Sequence, residues 1–178
     1  MAFVGTDIIK DYKDEREGNV WVFPDNVDTD VISPGKYLDN LEETLKHTCE
    51  SLIKGFPDKV KDGDIIVAGK NFGCGSSRET AAMILQAKGI SAIVAESFAR
   101  IFFRSAIARA LPILEIKNIR SEFNNGDIIQ INIIKAEVTN KTTGKTFHGS
   151  KIHPILLQIL KKGGLEQKLI KELKKDKE

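Results

Sequence analysis

Cysteine, histidine and tryptophan are scarce in this 178-residue chain, with two, three and one copies respectively. Two thiols, Cys49 and Cys74, cannot build a disulfide framework, nor supply the thiolates of a complete zinc or iron–sulfur site. His47, His148 and His153 are scattered, without metal-ligand spacing. Any metal chemistry must take its ligands from elsewhere. Long apolar runs are missing as well: none approaches the roughly 20 residues of a transmembrane helix. The opening residues lack a signal-peptide core. Charge of one sign is not in excess, since 27 Lys and Arg face 25 Asp and Glu, which excludes a strongly basic nucleic-acid footprint. These absences describe a soluble, cytoplasmic protein with no membrane or nucleic-acid partner.

What is present is an ordinary globular balance, 41% hydrophobic and 29% charged, at a length that suits one domain with its own core. The domain is expected to span 1–178, with 1–18 a polar N-terminal arm and 166–178 a C-terminal helical tail whose lysines form a solvated end. Val20 to Phe23 reads as a buried strand ending at Pro24, followed by an acidic turn and the breaker Ser33-Pro34-Gly35. Leu41, Leu45, Thr48 and Leu52 predict a helix over 41–54, closed by Gly55 and Pro57. Strand 64–68, helix 77–88, strand 92–95 and helix 98–110 alternate, which predicts an α/β fold with a mostly parallel central sheet. Beyond Asn125-Gly126 the pattern changes to a half-buried strand near 129–133, a hairpin about Thr142-Thr143-Gly144 and two terminal helices.

The strand–loop–helix junction Gly69-Lys70-Asn71-Phe72-Gly73-Cys74-Gly75-Ser76-Ser77-Arg78-Glu79 carries the most chemical information. Glycines that turn a strand into a helix expose backbone N–H groups at a positive dipole end, which suits an anion. The run is neither a Walker loop nor a dinucleotide fingerprint. Ser76 to Glu79 satisfies a capping box, with Ser76 the N-cap. Arg78 weighs towards a site, because a cation in the first turn opposes the helix dipole and its planar fork suits a carboxylate. Cys74 lies near a helix start that could acidify it, yet no histidine stands near it in sequence. The Asp25, Asp28 and Asp30 turn fails as a calcium loop and reads as turn-formers and caps or as part of a crevice. In the second junction, Glu96 to Arg104, Ser97 is expected to cap the helix and Glu96 to pair with Arg100.

Asp25 to Gly35, Gly69 to Glu79 and Glu96 to Arg104, in this order and spacing, resemble the swivelling-domain small subunits of the aconitase family, of the isopropylmalate dehydratase type. The likeness extends over roughly 19–165. It implies a three-layer β/β/α swivelling domain that docks on a large subunit, and that subunit would carry the [4Fe–4S] cluster, since this chain's own cysteines bind none. Small-subunit self-association is a further implied contact. The reaction implied is isomerisation of a hydroxy-dicarboxylate by dehydration and rehydration, in leucine biosynthesis. By the family motif Ser76 is the base, Arg78 with Ser77 and Thr29 binds substrate, and Asp30 pairs with a large-subunit histidine. Tyr37, Leu38, Asp39 and Asn40 fall on the loop that reads the substrate's side group, where Asp39 would repel a third carboxylate. Three alternatives stay open at this point: a related hydro-lyase (homoaconitase or a short alkylmalate dehydratase), a non-catalytic anion-binding module, and a thiol enzyme using Cys74.

Overall fold

The computed structural model describes residues 12–76 and 80–175. Among these, strands β1 (Glu15–Phe23), β2 (Ile65–Ala68), β3 (Ala92–Ala95), β4 (Ile113–Glu115), β5 (Ile128–Asn132), β6 (Glu137–Asn140) and β7 (Thr146–His148) form one mixed sheet in the order β4-β3-β2-β1-β5-β6-β7. The α/β half is parallel, from β4 to β1, and the remaining pairings are antiparallel. β1 belongs to both halves: Val20 to Phe23 pair with β2 and Glu15 to Asn19 pair with β5. Glu15 to Gly18, expected in an N-terminal arm, are thus the first half of a central strand. Of the rest of that arm, residues 1–11 lie outside the described residues.

Alternation along the parallel strands sorts side chains into two cores. Ile66, Ala68, Ile93, Ala95 and Ile113 face α4 (Thr80–Ala87), α5 (Arg100–Ala108) and α6 (Pro154–Lys161), meeting Leu85, Phe102 and Leu160. Their neighbours Ile65, Val67, Val94 and Leu114 face the other way, onto Ile129, Ile131 and Val138 of the antiparallel strands. Two cores between one helical layer and two strand layers are the β/β/α arrangement, since each apolar sheet face must be covered. A final helix, α7 (Leu165–Lys175), packs against α5 and α6.

The helix expected over 41–54 is shorter and broken. α2 (Leu41–His47) ends where Thr48 turns its backbone out, its Oγ1 donating to Thr44 O at 2.8 Å. Cys49 follows at φ 55° with its N–H donating to Val31 O, so a tertiary bond stops the helix. Gly55 and Pro57 open α3 (Phe56–Lys59) instead of closing α2, as suits a proline in a first turn.

Candidate active site at the strand ends

The register aligns Phe23, Ala68 and Ala95, the last residues of β1, β2 and β3, side by side. The three loops that follow therefore leave the sheet together, at the carboxyl ends where α/β sheets bind ligands. Backbone bonds weld them: Asn26 N donates to Lys70 O, Gly73 N and Cys74 N donate to Val27 O, and Phe72 N donates to Ser97 O. Side chains add three struts. Lys70 N donates to Asp25 Oδ1 at 2.8 Å, Asn71 Nδ2 to Asn26 Oδ1 at 2.9 Å, and Asn71 N to Ser97 Oγ at 2.9 Å. Ser97 is therefore a cross-link and not the expected helix cap; α5 begins after Ala99, which makes no side-chain cap. No ion pair joins Glu96 to Arg100 among the described residues, and Arg100 is exposed.

Two glycines shape the second loop. Gly73, at φ 77°, leaves its missing side chain's space to the Phe102 ring. Gly75, at φ 90°, leaves it to the carboxyl group of Asp28. Both positions combine a left-handed backbone with a close approach, so only glycine fits. Asp28 is the N-cap of α1 (Thr29–Ile32), its Oδ1 accepting from Asp30 N at 2.7 Å. Of the two roles expected for the acidic turn, Asp28 thus fills that of a cap.

These contacts bring Ser76 against Thr29, the residue that precedes Asp30. Thr29 N donates to Cys74 O at 2.8 Å, and Thr29 Oγ1 donates to Ser76 O at 2.8 Å. Thr29 is 2% exposed, whereas Ser76 and Asp30 are exposed at the rim. The serine is thus held by its main chain and carried on the surface of the loop. Ser77 and Arg78, with Glu79 of the expected capping box, lie outside the described residues. α4 starts directly after them, and Ser33 Oγ lies 3.4 Å from Thr80 Oγ1, which ties the α1 turn to its first residue.

The stretch Tyr37-Leu38-Asp39-Asn40 leaves a 3₁₀ turn, Gly35–Tyr37, and enters α2. Asn40 caps that helix, Oδ1 accepting from Glu43 N at 3.2 Å. Tyr37 stacks on His47 with ring centroids 4.2 Å apart, and Lys36 Nζ lies 4.6 Å from the Tyr37 centroid. Asp39 is exposed, and Leu38 half-buried.

Neither thiol is acidified by its surroundings. Burial raises the pKa of Cys74, and the neighbouring Asp28 carboxylate raises it further. Cys49 is fully buried, which drives its pKa far upward. Among the described residues no three His, Cys, Asp or Glu side chains converge on a metal position, and no helix is long and apolar enough to cross a membrane.

Residues 26–119, which contain all but the first residues of these loops, match the family model of the aconitase C-terminal domain. A 3-isopropylmalate dehydratase small subunit of Thermotoga maritima is 50% identical over 151 residues, covering 83% of this chain and 90% of the relative. An isopropylmalate/citramalate isomerase small subunit of Methanocaldococcus jannaschii is 47% identical over 159 residues, 88% of this chain and 95% of the relative. The crystal structure of a 3-isopropylmalate dehydratase from the latter organism superposes with a TM-score of 0.84 at 40% identity, covering 92% of this chain and 98% of that one. The chain belongs to the aconitase C-terminal domain family, among relatives named as small subunits of 3-isopropylmalate dehydratase.

Proposed function

We propose that this chain is the small subunit of a hydro-lyase that interconverts 2-isopropylmalate and 3-isopropylmalate by dehydration and rehydration, a cytoplasmic step of leucine biosynthesis. The observation that carries the reading is the anchored exposure of Ser76, with its carbonyl bonded to the buried Thr29, whose chain neighbour Asp30 is exposed as well. The family relationship adds weight, and it does not favour a homoaconitase or a non-catalytic module.

The chemistry needs a base for a carbon-bound proton next to a carboxylate. Ser76 takes that proton as an alkoxide and becomes a neutral hydroxyl; before the transfer its negative charge is held by the N–H groups at the following helix start and by Arg78. Arg78, flanked by Ser77, holds the substrate carboxylate in its planar fork. Thr29 acts one step back: its hydroxyl is committed to Ser76 O, so it positions the base and does not itself touch substrate. Asp30, on the rim, pairs with a large-subunit histidine that handles the proton of the departing hydroxyl. The loop from Tyr37 to Asn40 meets the alkyl group, and Asp39 there repels any third carboxylate.

A Lewis acid for the hydroxyl would come from the [4Fe–4S] cluster that the family relationship assigns to the large subunit. Citramalate is a second substrate to assay, since a 47%-identical relative is named for both compounds. The test mixes the chain with its cognate large subunit and follows alkene absorbance from 3-isopropylmalate. Ser76→Ala should lower kcat by roughly 10²- to 10⁴-fold, the usual worth of a positioned base, with assembly intact. A variant that keeps its turnover removes Ser76 as the base.

A further inference from the structure

We propose that His47 is a positioning residue for the substrate-reading loop: its imidazole, gripped by acidic side chains, stacks on Tyr37 and sets where that ring stands. The inference rests on the reading of Tyr37 to Asn40 as the loop that meets the substrate's alkyl group.

The main chain of Tyr37 is already fixed. Its carbonyl accepts from Thr44 Oγ1 at 2.7 Å and from Asn40 N at 2.9 Å. Those bonds leave the ring's side-chain torsions to be settled by what touches the ring. His47 closes α2 two turns beyond the loop, and its ring lies nearly parallel to that of Tyr37, at 13°. The imidazole is itself held at its edge. Nδ1 is 2.6 Å from Glu50 Oε2, and Nε2 is 3.9 Å from Glu43 Oε2. Glu43 is in turn bonded to Lys46 at 2.8 Å. With both ring nitrogens turned to carboxylates, rotation of the imidazole would break a hydrogen bond, so its flat face stays towards Tyr37.

A stacked pair of this kind orients each ring as well as burying it. An alkyl group is distinguished by shape alone, and a misplaced wall weakens that discrimination. His47 makes no claim on the proton transfer, so its removal should appear in KM and not in kcat.

Four forms of the assembled enzyme test this: wild type, His47→Leu, His47→Phe and Tyr37→Leu, assayed with 3-isopropylmalate. His47→Leu should raise KM about three- to tenfold, the span of an aromatic pair's orientation energy, with kcat nearly unchanged. His47→Phe, which keeps a flat ring, should return KM to within about twofold of wild type. A normal KM in His47→Leu beside a raised KM in Tyr37→Leu overturns the role of His47 and leaves the loop reading intact. An unchanged KM in Tyr37→Leu overturns the loop reading, and the proposal with it. Proton spectra of the small subunit give a readout independent of turnover. The Tyr37 ring signals, assigned with Tyr37→Phe, should shift in His47→Leu as the ring current is lost; signals that do not move overturn the stack itself.

Discussion

The carboxyl group of Asp28 occupies the space that a side chain on residue 75 would need. The same carboxylate accepts from Asp30 N at 2.7 Å, so it cannot swing aside without uncapping α1. Gly75→Ala therefore meets a steric conflict on top of a φ of 90°. The backbone part alone costs about 1–3 kcal/mol. The variant should fold, with a melting temperature several degrees lower, and the assembled enzyme should lose at least about tenfold in kcat as Ser76 is displaced. Thermal unfolding followed by circular dichroism, together with the alkene assay, checks both parts.

Thr29 offers a finer probe of the same loop. Thr29→Val keeps the shape but removes the donor to Ser76 O. Stability should fall by about 1 kcal/mol, the net worth of one hydrogen bond. The loss in kcat should exceed that figure, because the bond fixes the proposed base and not only the fold. Thr29→Ser keeps the hydroxyl and should recover most of the rate. Equal, small losses in both variants would reduce Thr29 to a packing role.

Asp64 tests the opposite end of the sheet. Although 4% exposed, it accepts from Trp21 Nε1 at 2.7 Å and from Lys61 N at 2.9 Å. Asn19 Nδ2 completes the set at 3.4 Å. Asp64→Ala strands these donors in a half-buried setting, at about 1–3 kcal/mol for each one left unsatisfied. Trp21 is the chain's one tryptophan, so its fluorescence reports the site directly. Urea unfolding should show a lowered midpoint with an unchanged slope, and the native emission should change because the indole loses its acceptor.

The elements that were legible in the sequence are those set by local pattern. Ile65 to Ala68 and Ala92 to Ala95 are short apolar runs bounded by turns, and both are strands with the predicted limits within a residue. Asn125-Gly126 turns as its dipeptide demands. The break after His47 was not legible, because what stops α2 is a bond from Cys49 N to Val31 O, across the fold. Glu15 to Gly18 read as a polar arm for a similar reason: their partners, Ile129 to Asn132, lie more than a hundred residues away. At the site, the Ser76 block stood out by its residue types. The struts behind it did not, since Ser97 serves Asn71 and not the helix it precedes.

Cysteine reactivity supplies the pH test, and its sign follows from charge. The thiolate is the reactive form, and a raised pKa lowers its fraction at any given pH. Burial and the Asp28 carboxylate both raise Cys74. Its alkylation by iodoacetamide in the native protein should therefore be slower at pH 8 than that of an unperturbed thiol, with the rise in rate displaced to higher pH. Asp28→Asn removes the negative neighbour and should shift the profile back towards lower pH, although burial persists. Cys49, fully buried, should react only once urea unfolds the chain. In the assembled enzyme Cys74→Ser should retain turnover, since Ser76 and not the thiol carries the proposed base. Fast alkylation of Cys74 at neutral pH, with parallel loss of activity in Cys74→Ser, would move the chemistry from the serine to the thiol.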